Sequence, residues 1–292
     1  MFIGSGVALV TPFKKTGEID YVTLKNLVDF HIEHKTDAII VCGTTGEAPT
    51  LSCKEHLSCI EACISFADGK IPIIAGTGSN NTKTAIANSV EAQKLGADGL
   101  LLVTPYYNKT TQEGLINHYK AISNKVDLPI ILYNVPSRTG LNIEPETFRQ
   151  LFYECDNIIG IKEASGNISQ VAHMLDLTQG DAWVYSGNDD QVVPVLSLGG
   201  VGVISVVANI MPDIMHEMVY DYLEGRTDDS KEKQLKILKL AKNLFSETNP
   251  IPIKKAMELM GMINGTLRQP LCDMSPKNTV ELKSEMIKQK IL

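Results

Sequence analysis

One lysine stands where an apolar strand would end. Residues 158–162 read IIGIK, so four apolar or small residues lead directly into Lys162. Burial of an amine without a carboxylate partner disfavours the ammonium form and lowers the pKa, which is what a nucleophilic lysine requires. A lysine at a strand end can equally extend its ammonium group into water. Lys162 by itself is therefore a candidate nucleophile that needs support from its neighbours.

The alternation of side chains along a strand decides which residues accompany this lysine. It predicts that Lys162 shares a face with Gly160 and Ile158. Glu163 then points the other way and is not expected to be the salt-bridge partner of the lysine. Gly160 is expected to leave room for the lysine stem.

Four further side chains could act with such a lysine. Tyr133 ends another apolar run, and its phenol can donate or accept a proton. Thr44 in GTTGE and Tyr107 in TPYYNK could extend the phenol into a chain of hydroxyl groups. Arg138, in YNVPSRTG, offers a planar guanidinium that suits a carboxylate. Each residue has a commonplace alternative role, but the combination favours a reactive amine at position 162.

The elements that must position these residues repeat along the chain. Eight short apolar runs begin at Gly6, Ala38, Ile71, Gly99, Leu128, Ile158, Trp183 and Val201. Stretches with helical spacing lie between them, and capping residues such as Asp20 and Asn81 precede two of these stretches. Strands that are apolar on both faces and alternate with helices indicate a parallel sheet, because the helices must cover both of its surfaces.

Eight such units predict an α/β fold, a closed (β/α)8 TIM barrel. Reacting groups in this fold lie at the carboxyl ends of the strands, where Thr44, Tyr133 and Lys162 are expected. A doubly wound open sheet is the structural alternative, but it usually has fewer strands, and no GxGxxG follows the first run here.

The pattern becomes wholly helical after the eighth strand. Apolar residues at helical spacing predict helices over 212–223, 231–245 and 253–262, and Ser275 and Pro276 open a last helix. We therefore predict a catalytic barrel over residues 1–224 and an appended C-terminal helical region over residues 225–292.

Composition excludes several classes of function. With 43% apolar and 21% charged residues, the 292-residue chain is typical of globular proteins. Its net charge of −7 offers no basic patch for nucleic acid or an anionic membrane. The start of the chain lacks a basic segment followed by an apolar one, and no apolar run is long enough to span a bilayer, so a cytoplasmic location is expected.

No metal site is expected either. The six cysteines include no CxxC pair and the histidines no HExxH, so reduced thiols and no catalytic metal are predicted. Cys59 and Cys63 lie one helical turn apart, but no histidine completes a ligand set.

Four motifs resemble those of the dihydrodipicolinate synthases, within the pyruvate-dependent class I aldolase and lyase superfamily. They are GTTGE (43–47), TPYYNK (104–109), YNVPSRTG (133–140) and GIKEASGN (160–167). SGND, GGVGVISVVAN and NPIPIK extend the resemblance along the chain. The resemblance implies a barrel enzyme of lysine and diaminopimelate biosynthesis that condenses pyruvate with L-aspartate 4-semialdehyde. It implies no external cofactor.

The resemblance also implies roles for particular residues. Lys162 would form the Schiff base with pyruvate, and Tyr133 would be the general acid and base with Thr44 and Tyr107 as its proton relay. The residues that would bind substrate are Thr45 for the pyruvate carboxylate, Arg138 for the carboxylate of the semialdehyde, and Gly187 and Ile204 through their backbones. Tyr107 would cross a dimer interface, which implies a homodimer or homotetramer.

An effector site for L-lysine is matched only in part. His56, Asn80 and Tyr106 fit the family pattern. Cys53 stands where histidine is frequent, and Thr84 stands where the lysine-sensitive bacterial type has glutamate. Because Thr84 brings no carboxylate to pair with the effector's ammonium group, weak or absent inhibition by L-lysine is expected.

Three other functions compete with this interpretation. A sister lyase, such as an N-acetylneuraminate lyase or a keto-deoxy-sugar-acid aldolase, would use the same lysine chemistry. Arg138 and the doubled threonine of GTTGE argue against the sialic acid branch. A second alternative is a barrel that binds small molecules without turnover. It would have to keep the lysine and its hydroxyl neighbours by chance, which argues against it. A phosphate-handling barrel would need a glycine-rich anion cradle after strands seven and eight, which SGND and SVVAN do not supply.

Overall fold

Eight parallel strands close into one barrel in chain order, with the last strand paired to the first. The computed structural model describes residues 1–292. The strands are β1 (Gly4–Ala8), β2 (Ala38–Val41), β3 (Ile73–Gly76), β4 (Gly99–Val103), β5 (Ile130–Asn134), β6 (Ile158–Glu163), β7 (Trp183–Ser186) and β8 (Gly202–Ser205). Each corresponds to one of the eight apolar runs. The closed barrel confirms the predicted fold and excludes the open sheet.

Twelve α-helices surround and extend the barrel. They are α1 (Tyr21–Glu33), α2 (Cys53–Ala67), α3 (Thr82–Leu95), α4 (Gln112–Ser123), α5 (Pro136–Thr139), α6 (Pro145–Glu154), α7 (Ile168–Leu177), α8 (Val192–Ser197), α9 (Pro212–Leu223), α10 (Thr227–Leu244), α11 (Ile251–Leu259) and α12 (Pro276–Lys288). None of them is long and apolar enough to cross a membrane. Three short 3-10 turns cover Ala48–Thr50, Asp189–Gln191 and Val207–Asn209.

Capping residues explain where several helices begin. Asp20, Asn81 and Ser275 each accept a hydrogen bond from the first turn of α1, α3 and α12, as the sequence indicated. Helix α10 begins at Thr227 rather than at 231 because its first turn is polar and acidic, which suits a helix N-terminus but leaves no apolar spacing. Helix α11 begins at Ile251 rather than 253, since its first turn accommodates proline.

Two apolar layers separate the inside of the barrel from its outside. Side chains that point outwards from the strands, such as Ile39 and Leu100, pack against the helices in one large core. Side chains that point inwards, such as Ile40 and Leu101, fill the half of the barrel nearest the amino ends of the strands. The Tyr185 hydroxyl closes this end by donating a hydrogen bond of 2.6 Å to the Phe2 carbonyl. The barrel is therefore closed at its amino end.

Strand β6 departs from strict alternation, and the prediction for Ile158 was wrong. The pairing with β5 runs from Ile130↔Ile158 to Ile131↔Gly160, so Ile159 is an extra residue. Such a bulge exchanges the faces of the residues before it. Ile158 consequently packs in the outer core, while Lys162 keeps its inward direction.

The reason for Gly160 also differs from the expectation. A Cβ atom at this position would lie 2.0 Å from the Trp183 carbonyl oxygen on β7. The glycine is thus required by the close approach of the neighbouring backbone, not by the lysine stem. The bulge and the glycine together set the direction in which β6 delivers its last residues.

The C-terminal helices are attached to the barrel by packing and by one buried ion pair. Helix α10 packs on α8, α9 and α12. Lys254, on α11, pairs with Glu47 after β2, and both side chains are fully buried. The Lys254 Nζ also donates to the Thr266 carbonyl at 2.9 Å and lies 4.2 Å from the centroid of the Phe13 ring. The boundary after residue 224 stays a prediction.

Two lysines, one on barrel strand β6 and one on helix α11, are buried with different partners. Burial lowers the pKa of Lys254 to about 8, although the adjacent Glu47 carboxylate opposes the shift. Burial likewise lowers the pKa of Lys162 to about 8, where the only acid that opposes the shift is Asp189, through its charge. The first lysine is paired directly with a carboxylate, whereas the second interacts with one only through its charge.

We expect Gly160→Ala to lower the free energy of unfolding by about 3 kcal/mol, since the added methyl meets a backbone oxygen that cannot move aside. Urea unfolding followed by circular dichroism measures this change. Gly17→Ala is the matched control. Gly17 has a φ of +89° but no atom within 4 Å of an added Cβ, so strain alone should cost about 1 kcal/mol. Equal losses in both variants would contradict the proposed clash.

The two buried lysines should respond oppositely to methionine. Lys254→Met leaves the Glu47 carboxylate buried and unpaired, which should cost about 3–5 kcal/mol of unfolding free energy. Lys162→Met removes an amine whose folded pKa is lowered from 10.5 to about 8, so stability at pH 7 should rise by up to about 3 kcal/mol.

The gain in stability expected for Lys162→Met depends on pH. Below pH 8 both folded and unfolded wild-type chains carry the proton, so the full cost of burying the charge is present. Between pH 8 and 10.5 the folded lysine is neutral and the cost fades. Urea unfolding at pH 7 and pH 9.5 measures the difference. A loss of stability at pH 7 would contradict an uncompensated amine.

Candidate active site

A cavity of about 610 Å³ opens where the strands end at the carboxyl face of the barrel. Most of the residues that the sequence singled out for catalysis and substrate binding line it. They are Thr44, Thr45, Tyr133, Arg138, Lys162 and Gly187. They come from the ends of β2, β5, β6 and β7 and from the short helix α5. The parallel barrel therefore brings together side chains that are up to 143 residues apart in the chain (44 to 187).

Lys162 and Tyr133 form the centre of the site. They are register partners on β6 and β5, and both side chains point into the cavity. The Lys162 Nζ lies 4.5 Å from the centroid of the Tyr133 ring. Burial lowers the pKa of Lys162 to about 8; the charge of Asp189 opposes this shift and that of Arg138 adds to it. A substantial fraction of the amine is consequently unprotonated near neutral pH.

Neither nearby carboxylate neutralises the lysine by direct pairing. Asp189 accepts hydrogen bonds from the backbone of Val206 at 3.0 Å and Val207 at 3.1 Å, which fixes the loop after β8. Burial raises the pKa of Asp189, and these hydrogen bonds and Lys162 oppose the shift. Glu163 points outwards and accepts from Asn134 at 2.9 Å. The expectation that Glu163 is not the partner of Lys162 is confirmed.

The phenol of Tyr133 is kept protonated. Burial raises its pKa, and the opposing influences are the Arg138 charge and a hydrogen bond with Thr44. Because the protonated phenol and the amine line the same cavity, the phenol is the candidate proton donor for a group that forms on that amine. The contact with Thr44 gives the same phenol a hydroxyl neighbour through which protons can move.

A tight turn presents the two threonines. The backbone NH of Glu47 donates to the Thr44 carbonyl at 3.1 Å, and Glu47 adopts a left-handed φ of 54°. Thr11 donates its hydroxyl proton to the Gly46 carbonyl at 2.7 Å, which ties this turn to the loop after β1. The turn thereby places Thr44 beside Tyr133 and buries Thr45 against the C-terminal region.

One residue of the site was missed by the sequence reasoning. Asn249 lines the cavity, and its Nδ2 donates to the Thr45 Oγ1 at 3.0 Å. Its backbone carbonyl accepts from the Arg138 Nη2 at 3.0 Å. The signal was present in NPIPIK, where a polar residue precedes two prolines. No role could be assigned to it without the fold, since it lies 204 residues from its partner Thr45.

Two residues expected at the site are not brought to the cavity. Ile204 is buried in the inner layer below it, and Val206 lines the wall instead. Tyr107 is 91% exposed, with a φ of +70°, and does not line the cavity of the single chain. The chain alone therefore does not complete the hydroxyl series from Tyr133 and Thr44 to Tyr107.

A second cavity of about 370 Å³ lies beside the first and shares Thr44, Tyr133 and Arg138 with it. The residues assigned to an effector site, or substituted in it, that line this cavity are Cys53, His56, Thr84 and Tyr106. Asn80 is outside the lining but donates to the Tyr106 carbonyl at 3.2 Å. The expected effector residues thus lie together, next to the cavity that holds Lys162.

The cavity histidine is held neutral. The His56 Nε2 lies 2.8 Å from the Gly76 carbonyl, and burial lowers the pKa of the ring.

No group of three or more His, Cys, Asp or Glu side chains is placed to hold a metal ion. All six cysteines are free thiols.

Comparison with known proteins agrees with this geometry. The dihydrodipicolinate synthetase family matches residues 1–290. A 4-hydroxy-tetrahydrodipicolinate synthase of Caldicellulosiruptor saccharolyticus is 58% identical over 98% of this chain and 97% of its own. The crystal structure of dihydrodipicolinate synthase from Thermotoga maritima superposes with a TM-score of 0.98 at 45% identity, and all of both chains is covered.

A third similar structure contains pyruvate. The chloride-inhibited dihydrodipicolinate synthase of Acinetobacter baumannii, solved in complex with pyruvate, has a TM-score of 0.97 at 44% identity over all of both chains. The shared barrel and the match along nearly the whole sequence lead to one conclusion. This chain belongs to the dihydrodipicolinate synthetase family.

Proposed function

We propose that this protein is a Schiff-base-forming lyase that condenses pyruvate with L-aspartate 4-semialdehyde, as a 4-hydroxy-tetrahydrodipicolinate synthase. The observation that carries the proposal is the buried amine of Lys162, at 4.5 Å from the Tyr133 ring centroid, in a cavity that also holds Thr45 and Arg138. A relative that is 58% identical bears this name, and a structural neighbour was solved with pyruvate.

The depressed pKa makes the first step accessible at neutral pH. With a pKa of about 8, roughly one Lys162 in ten is neutral at pH 7, against about one in 3,000 at the ordinary value of 10.5. The neutral Nζ attacks the keto carbon of pyruvate, and loss of water yields the protonated imine. Tyr133 donates the proton with which the carbinol oxygen leaves as water.

The imine then activates the pyruvate methyl group. The Tyr133 phenolate left by the first step takes a proton from that carbon, which gives an enamine, and the electrons of the former C=N bond become a lone pair on the nitrogen. The enamine carbon attacks the aldehyde carbon of the second substrate, and the new alkoxide takes a proton from Tyr133. Thr44 passes protons to and from this phenol. Because the imine is the electron sink, the proposal needs no metal or external cofactor.

Two groups hold the substrate carboxylates in the cavity of the lysine. Thr45 is assigned to the carboxylate of pyruvate and Arg138 to that of the semialdehyde. Arg138 suits the second role because its guanidinium uses one hydrogen bond to the Asn249 carbonyl and keeps others for a ligand. Gly187 lines the wall beside the imine, and Ile204 supports it from below.

The exposure of Tyr107 supports an oligomeric enzyme. The Tyr107 side chain is 91% exposed on the single chain, which leaves it free to insert into another subunit. We infer a homodimer or homotetramer in which Tyr107 enters the neighbouring site and extends the relay from Thr44. The partners are small molecules and copies of this chain, and the expected location is the cytoplasm.

The cavity beside the active site suits a weak response to L-lysine. Thr84 and Cys53 replace groups that would pair with or bind an amino acid effector, while His56, Asn80 and Tyr106 remain. Without a carboxylate at position 84, the effector's ammonium group loses a charge-assisted hydrogen bond.

Borohydride reduction in the presence of pyruvate tests the mechanism. We expect a covalent adduct on the peptide that contains Lys162, found by mass analysis, and no adduct and no turnover in Lys162→Ala. At limiting pyruvate the rate of adduct formation should rise about tenfold per pH unit below pH 7.5 and level off above pH 8. An adduct on another lysine, or a rate that rises steadily to pH 10, would contradict the proposal.

The second substrate separates this enzyme from a sister lyase. The imine of Lys162 is common to both, so the adduct alone does not distinguish them. Turnover with L-aspartate 4-semialdehyde should exceed turnover with N-acetylmannosamine by orders of magnitude, since only the former places a carboxylate on Arg138. A preference for the sugar would overturn the assignment.

L-lysine at millimolar concentration should inhibit turnover weakly or not at all. Thr84→Glu should tighten lysine inhibition about tenfold to hundredfold, because it restores a carboxylate to the cavity of Thr84 and His56. Ala87→Glu adds the same charge to an exposed position of α3 and is the control. Strong inhibition of the wild type, or an equal response of both variants, would contradict the assignment.

A further inference from the structure

The segment NPIPIK has no assigned role in the mechanism proposed above. It spans residues 249–254 and opens helix α11. Its two polar residues, Asn249 and Lys254, both contact the turn that carries the catalytic threonines. These contacts connect the C-terminal helical region to the catalytic face of the barrel at two points.

The first contact sets the direction of a hydroxyl group. The Asn249 Nδ2 donates to the Thr45 Oγ1 at 3.0 Å, and both residues are more than nine-tenths buried. An amide NH2 can only donate, so the hydroxyl oxygen of Thr45 is the acceptor and its own proton is left for another group. A hydroxyl proton directed into the cavity is what a bound carboxylate accepts.

The second contact fixes the backbone of the same turn. Glu47, two residues after Thr45, pairs with Lys254 in a fully buried ion pair. Its other carboxylate oxygen accepts from the Arg268 backbone at 3.0 Å. Glu47 has a left-handed φ of 54°, which side chains other than glycine and asparagine rarely adopt. The turn is thus held at both of its ends by residues of the C-terminal region.

Asn249 reaches the second carboxylate site as well. Its backbone carbonyl accepts a hydrogen bond of 3.0 Å from the Arg138 Nη2. This contact does not depend on the Asn249 side chain, whereas the contact with Thr45 does. The two functions of the residue can therefore be separated by substitution.

We propose that Asn249 is a positioning residue that orients the Thr45 hydroxyl as a hydrogen-bond donor for the keto-acid carboxylate, and that the Lys254 and Glu47 ion pair holds the turn in which it does so. The inference rests on the proposed function, since it takes Thr45 as the group that receives the carboxylate of pyruvate. On this proposal, residues of the C-terminal helical region set the affinity of the site for the keto acid.

Asn249→Asp tests the direction of the hydrogen bond. A carboxylate only accepts, so Thr45 would donate to Asp and turn a lone pair towards the substrate. The pyruvate concentration for half-maximal borohydride trapping, and KM for pyruvate, should rise about tenfold to hundredfold, the range of a lost charge-assisted hydrogen bond. KM for the semialdehyde should change less than about threefold, because the Arg138 contact uses the backbone.

Two further variants separate orientation from general damage. Asn249→Ala frees the Thr45 hydroxyl without reversing it, so its rise in half-saturating pyruvate should be smaller than that of Asn249→Asp. In a Thr45→Val background, Asn249→Asp should add little, because no hydroxyl remains to orient. Asn117→Asp, an exposed position of α4, controls for the added charge.

The possible results distinguish the two proposals. If the wild type forms no pyruvate adduct on Lys162, the proposed function fails. If the wild type is trapped but Asn249→Asp keeps the wild-type half-saturation, the positioning role is overturned. Equal rises for both substrates, or additive effects of Asn249→Asp and Thr45→Val, would likewise overturn it by showing that the turn as a whole had shifted.

Discussion

The structure depends on one desolvated amine. A lysine at the end of β6 is enclosed by the barrel wall, and no carboxylate is placed to compensate its charge fully. Desolvation costs the ammonium form up to about 3 kcal/mol, and this cost falls at the one place where the proposed mechanism needs a neutral amine. The bulge in β6, the glycine that lets β7 approach and the outward turn of Glu163 all serve that placement.

The second buried lysine shows that burial alone does not make a nucleophile. Lys254 is as enclosed as Lys162, and its pKa is lowered to a similar value. Its nitrogen is nevertheless occupied by Glu47 and by the carbonyl of Thr266, so no lone pair faces a cavity. The distinction between a structural and a reactive lysine lies in what the nitrogen contacts and in the space beside it.

Much of the fold could be read from the sequence because its signals are local. Apolar runs bounded by turn residues located all eight strands, and caps such as Asp20 located helix starts. The strand-end rule, together with the family motifs, then identified Lys162 and Tyr133, whose pairing the structure shows. The motifs also pointed to Thr45, which lines the cavity.

What the sequence did not reveal depends on contacts between distant segments. The side on which Ile158 lies is set by a bulge that only strand pairing exposes, and Asn249 meets Thr45 across 204 residues. Nothing in the local pattern near position 249 distinguishes a loop asparagine from one that orients a hydroxyl. The role proposed for the exposed ring of Tyr107 likewise depends on contacts with another copy of the chain.

The hydrogen bond between Tyr185 and Phe2 has a consequence for the order of events. Together with the inner apolar layer it closes the amino end of the barrel, so ligands reach Lys162 from the carboxyl face. Every molecule that enters must leave by the same route, including the water expelled when the keto acid condenses with the lysine. In the proposed mechanism the keto acid becomes covalently bound to Lys162 before the aldehyde arrives through the same face, so the order in which the two substrates bind follows from the shape of the barrel.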